Sequence, residues 1–105
     1  MNYLKYFPDY DGLLPQIDGF KDSSWPDDIC PTLEYKINDN HYLKIFSDYV
    51  DPTRREVGGL RFSVSLGNTD ELKPIYTTES ESLLKAYIKG FIEAIDNVLE
   101  IYLND

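Results

Sequence analysis

His41 is the only histidine and Cys30 the only cysteine among the 105 residues, so nucleophile–base chemistry would have to use them together or pair one with a Ser. Between them, Leu33, Tyr35 and Ile37 alternate with Glu34, Lys36 and Asn38, the period of a half-buried strand. At about 3.3 Å per residue such a strand holds Cys30 and His41 at opposite ends, tens of ångströms apart. His41 then reads as a turn residue beside Asn38-Asp39-Asn40, and Cys30 as a small buried hydrophobe. Asp27 and Asp28 are adjacent carboxylates, and such a pair can share a proton and act as acid and base. They follow Trp25-Pro26, nothing in the sequence supplies a cleft or a second catalytic group to work with them, and a turn in which they accept backbone N–H bonds is the favoured reading. Asp48, Asp51 and Glu56 could together hold a hard cation. Their spacing is not that of an EF-hand, and Arg54 and Arg55 compete for the same carboxylates, so the loop reads as salt-bridged. Gly58-Gly59 precedes a strand rather than a helix and makes no phosphate cradle. The expectation is no catalytic residue, no metal ligand and no cofactor. An enzymatic alternative, a small metal- or carboxylate-dependent hydrolase, would rest on Asp27, Asp28, Asp48 or Asp51.

The elements that would position these residues follow from periodicity and punctuation. Residues 32–78 read as an antiparallel meander. After the strand through Leu33 comes one with Leu43, Ile45 and Tyr49 on one face and Tyr42, Lys44 and Phe46 on the other. Asp51-Pro52 opens a loop that closes at Gly58-Gly59. Leu60, Phe62, Val64 and Leu66 then alternate with Arg61, Ser63 and Ser65, and Gly67-Asn68 turns the chain. A strand over Leu72–Thr77 contains Pro74, which places it at a sheet edge. Residues 79–103 read as one long amphipathic helix with a stripe of Leu84, Ile88, Phe91, Ile95, Val98 and Tyr102, widened by Tyr87, Ile92, Leu99 and Leu103. Lys85, Lys89, Glu93, Asp96 and Glu100 fall on its solvent side, Thr78 with Glu81 reads as a capping box, and Gly90 as a close approach to a neighbour. Residues 1–31 hold four Pro, two Gly and six aromatic side chains, too punctuated for a long helix and too aromatic for a disordered tail. They read as an ordered wrap with one short strand or helical turn. The prediction is one α+β domain over 1–105: an antiparallel sheet of three to five strands with one long C-terminal helix packed on it.

Composition narrows the function. Nineteen acids against ten bases give a net charge of −9, which argues against nucleic acid and anionic lipid as partners. The charge sits at the ends: residues 1–31 and 79–105 each carry six acids and two bases, whereas the middle is nearly balanced. No run approaches 18 apolar residues, and Met1-Asn2-Tyr3-Leu4-Lys5 lacks the features of a secretion signal, so a cytoplasmic location is expected. The broad apolar stripe of the helix also leaves room for a homodimer formed through it.

Two stretches carry a family pattern. Ser24-Trp25-Pro26-Asp27-Asp28-Ile29-Cys30-Pro31 precedes an alternating strand, and Asp48-Tyr49-Val50-Asp51-Pro52-Thr53-Arg54-Arg55-Glu56 leads through Gly59 to Leu60-Arg61-Phe62. Together they resemble a family of small acidic bacterial proteins with patterns near S-W-x-x-D-x-C-P and D-Y-x-D-P-x-x-R-E, among them immunity proteins of contact-dependent growth inhibition systems. The resemblance implies an α+β fold and a non-catalytic function: neutralising a cognate toxin domain, a basic nuclease, by binding it in the cytoplasm. It also implies that Trp25, Cys30, Pro31, Arg61 and Phe62 are structural framework. Acidic residues of the N-terminal segment, Asp18, Asp22, Asp27 and Asp28, would then meet the toxin's basic cleft, since complementary charge steers association.

Overall fold

The computed structural model of the chain describes residues 2–55 and 59–95. Five antiparallel strands form one sheet in sequence order: β1 (Lys21–Asp22), β2 (Thr32–Lys36), β3 (Tyr42–Ser47), β4 (Phe62–Gly67) and β5 (Leu72–Thr78). A short helix α1 (Tyr3–Tyr6) precedes them, a 3-10 turn spans Pro52–Arg54, and helix α2 (Glu81–Glu93) follows β5. The α+β meander with a C-terminal helix is therefore as expected, at the upper end of the strand range. The helix is shorter than the 79–103 of the sequence reading; Val98, Leu99, Tyr102 and Leu103 lie outside the described residues, as do Asp96, Glu56 and Glu100.

Register explains the core. Leu33, Ile45 and Val64 pair across β2, β3 and β4, and Tyr35, Leu43 and Leu66 form the next row on the same face. Leu84, Ile88 and Phe91 of α2 pack on these rows to make the buried cluster, and the Tyr87 ring stacks on Tyr76 of β5 at 4.0 Å. The opposite face carries Glu34, Lys44 and Ser65 in one row and Thr32, Phe46 and Ser63 in another, with no helix over it among the described residues. On that face Tyr42 lies against Gly67, where any Cβ would collide with its ring. Gly67 thus serves a cross-strand packing need rather than a turn. The turn is made by Asn68, whose side chain accepts from the amides of Asp70 and Glu71.

Both sheet edges are blunted. β1 has only two residues, and β5 carries Pro74 and a bulge opposite Val64/Ser65.

Residues 2–31 dock through several of their rings, Trp25 excepted. Tyr10 is buried, bonds Ser47 Oγ at 2.7 Å and donates to the Asp48 carbonyl at 3.1 Å, while Tyr3 meets it edge-on and Tyr49 is tilted against it. Phe20 stacks on Tyr35, and Gly19, at φ +83°, passes so close to Tyr35 that no side chain fits.

Four local expectations are corrected. Leu60 is exposed because the strand begins only at Phe62. Tyr49 lies past the end of β3. The α2 N-cap is Ser80, whose Oγ accepts from Leu83 N, because Glu79 is drawn away to another partner. Gly90 approaches nothing among the described residues: a Cβ there meets no atom of theirs. Gly90→Ala is accordingly expected to stabilise the chain by up to about 1 kcal/mol. Leu84→Ala, which empties a fully buried site on the same helix, should cost about 3 kcal/mol. Urea denaturation of the two variants measures both.

Candidate functional site

Two local structures dominate the surface where the sequence pattern falls: an arginine latch in the β3–β4 connection, and the turn that carries Trp25.

The latch starts from Asp51, which caps the 3-10 turn by accepting from Thr53 N and Thr53 Oγ1. That turn delivers Arg55 inward. Its side chain is 2% exposed, and a buried guanidinium needs partners for all five N–H groups. It finds them. Nε donates to the Tyr49 carbonyl at 2.7 Å, Nη1 to the Gly59 carbonyl at 3.0 Å and Glu79 Oε1 at 2.9 Å, and Nη2 to the Val50 carbonyl at 3.1 Å and Glu79 Oε2 at 2.7 Å. Glu79 Oε1 also accepts from Arg61 N. Hydrogen bonds from Arg55 hold the Glu79 carboxyl below the usual carboxylate range, and the same bonds push the Arg55 guanidinium further up.

Beside it, Arg54 stacks over the Tyr49 ring at 4.6 Å and bonds Asp9 Oδ2 at 3.0 Å, while Tyr49 Oη donates to Asp9 Oδ1 at 3.2 Å. Asp11 accepts from Val50 N and Asp51 N, both at 2.8 Å. Desolvation raises the Asp11 carboxyl, but these two amides and Arg54 outweigh it and leave its pKa lowered. The loop is salt-bridged as the sequence suggested, yet its partners Asp9, Asp11 and Glu79 come from distant segments that sequence reading missed.

The Trp25 turn is pinned at both ends. Ser24 is buried; its amide donates to Asp22 Oδ1 and its Oγ accepts from Thr32 N. Asp28 N donates to the Trp25 carbonyl at 3.1 Å, closing a four-residue turn with Pro26 at its second position. Cys30 and Pro31 are buried beyond it, and the Pro31 carbonyl accepts from Ser47 N. Between these anchors the Trp25 side chain stands out, 54% exposed, with Ile29 exposed beside it. Trp25 as a core framework ring is therefore corrected: the turn that Pro26-Asp27-Asp28 dictates lifts it to the surface. Cys30, Pro31 and Phe62 are buried, and Arg61 is half-buried over the Phe62 ring.

The four candidate acids do not form one patch. Asp18 lines a groove between residues 13–20 and α2, shared with Lys85. Asp22 is occupied by Tyr3 N at 2.6 Å and Ser24 N. Asp28 reaches over the helix-free sheet face to Lys44 at 3.6 Å, where Glu34 also lies within 3.9 Å of the same ammonium. Asp27 is exposed and accepts the Trp25 indole N–H at 3.3 Å, not a backbone amide.

The chain matches no family model, no curated protein and no solved structure.

Of the residues weighed for chemistry, Cys30 has Asp48 and Asp28 as charged neighbours, while His41 contacts Asn38 in the β2–β3 turn. Burial above all, then Asp48 and Asp28, pushes the Cys30 thiol up to about 12, the reverse of what a nucleophile needs. Among the described residues no three His, Cys, Asp or Glu gather as a metal site, and no helix is long and apolar enough to cross a membrane.

Arg55→Ala should destabilise the fold by about 3 kcal/mol, and Arg55→Lys should not restore it, since an ammonium offers three donors from one point instead of a five-donor fork. Denaturant midpoints test this. Because the folded pKa values of Asp11 and Glu79 are depressed, their contribution is complete above the ordinary carboxylate pKa, about 4, and is lost as pH falls through the lower folded values. Acid unfolding followed by circular dichroism should show Glu79→Gln with a shallower loss of stability than the parent below about pH 4.

Proposed function

We propose that this chain is a non-catalytic binding protein that neutralises a basic protein partner by covering it. The toxin domain implied by the S-W-x-x-D-x-C-P and D-Y-x-D-P-x-x-R-E patterns is that partner, and the cytoplasm is the compartment where they meet. One observation carries the reading: the only tryptophan is displayed on a turn held rigid from both sides. Exposing a large aromatic ring has no folding benefit, whereas a preorganised Trp is the commonest kind of energetic anchor at a protein interface. Asp27 beside it and the net charge of −9 supply complementarity to a basic cleft.

The reading requires that a gene for a basic toxin domain lie directly before this one, and the test uses that domain. Trp25→Ala should unfold within about 1 kcal/mol of the parent, since the ring is outside the core. It should bind the toxin domain at least about 30-fold more weakly, the size of an anchor residue's loss. Parent affinity should fall as salt rises. Unchanged affinity in Trp25→Ala would refute the reading.

A second reading, self-association through α2, is favoured by the exposure of Leu83, Ala86, Gly90 and Ala94 along one side of that helix. Sedimentation over a concentration series separates a monomer from a dimer.

A further inference from the structure

Resting on that reading, we infer that the Trp25 turn seats an arginine side chain of the basic partner, its guanidinium stacked on the indole and paired with Asp27. The molecule already contains a filled version of this arrangement. At Tyr49, the ring's own hydroxyl donates to a carboxylate, Asp9 Oδ1, and Arg54 lies over the ring at 4.6 Å while bonding the other oxygen of that carboxylate at 3.0 Å. At Trp25 the first half is repeated: the indole N–H donates to Asp27 Oδ2 at 3.3 Å. An N–H lies in the ring plane, so the carboxylate sits at the ring's edge, with lone pairs left on both oxygens. What Arg54 supplies at Tyr49 is missing at Trp25.

Local charge calls for a cation there. Asp28 and Glu34 share Lys44, which lies over Phe46 at 5.1 Å, and Glu34 also has Lys21 directly across from it on β1, whereas no cation among the described residues pairs with Asp27. Asp27 is the acid left over. The indole face is negative and the best of the aromatic faces for a cation. Arginine fits better than lysine, because a planar, weakly hydrated guanidinium can stack and still present in-plane N–H groups to a carboxylate at the ring's edge.

Trp25 is the only tryptophan, so its emission reports this site directly. A tetra-arginine peptide, titrated at low salt, should change that emission saturably. Its half-saturation should be about three- to fivefold lower than that of a tetra-lysine peptide of equal charge. Asp27→Asn should raise the arginine half-saturation at least about threefold, without moving the unfolding midpoint. Equal half-saturations for the two peptides, or an Asp27→Asn titration superimposable on the parent's, overturns the arginine seat. The binding reading fails by a different result, a toxin domain indifferent to Trp25→Ala. A toxin domain lost in Trp25→Ala but retained in Asp27→Asn leaves the binding reading in place and removes the arginine.

Discussion

A guanidinium taken out of water is costly unless its donors are met, and all five donors of Arg55 are. Its five hydrogen bonds gather three carbonyls of the β3–β4 connection and the carboxylate of Glu79, 24 residues further on, at the mouth of α2. Much else follows from that one requirement. Glu79 is held before the helix, so Ser80 becomes the cap, and the same carboxylate fixes the amide of Arg61 one residue ahead of β4. The loop backbone, stiffened in this way, presents the amides of Val50 and Asp51 to Asp11 and the ring of Tyr49 to Tyr10. The N-terminal wrap is therefore seated on a surface that a single guanidinium organises.

The sheet was legible in the sequence because alternation is a local signal that a buried face enforces at every second residue. Leu33, Ile45 and Val64 had no other face to occupy. Legibility failed where a residue answers to something distant. The capping-box pattern at Thr78 and Glu81 was sound by local rules, but Arg55 outbid the dipole for Glu79. Gly67 looked like turn chemistry and is instead the floor beneath Tyr42. Tyr49 and Leu60 continued an alternation that the geometry of the loop between them ends.

The candidate site was half legible. Charge and turn residues at Pro26-Asp27-Asp28 were plain, but the family pattern set the adjacent Trp25 in the framework, although turn tips belong at the surface. What no local pattern could supply is how the acids are divided. Asp22 is consumed in holding Tyr3 and Ser24, Asp28 goes to Lys44 on the far face of the sheet, and Asp18 falls on the helix side. Only Asp27 is left beside the indole.

The blunted edges of the sheet bear on how the chain behaves in company. A two-residue β1 offers almost no ladder to extend, and on β5 Pro74 removes a donor while the bulge bends the strand out of register. A strand from a second molecule finds a poor template at either edge of the sheet, and a net charge of −9 opposes such pairing. For a chain dense in β structure and tyrosine, the consequence is a sheet whose edges oppose cross-β stacking.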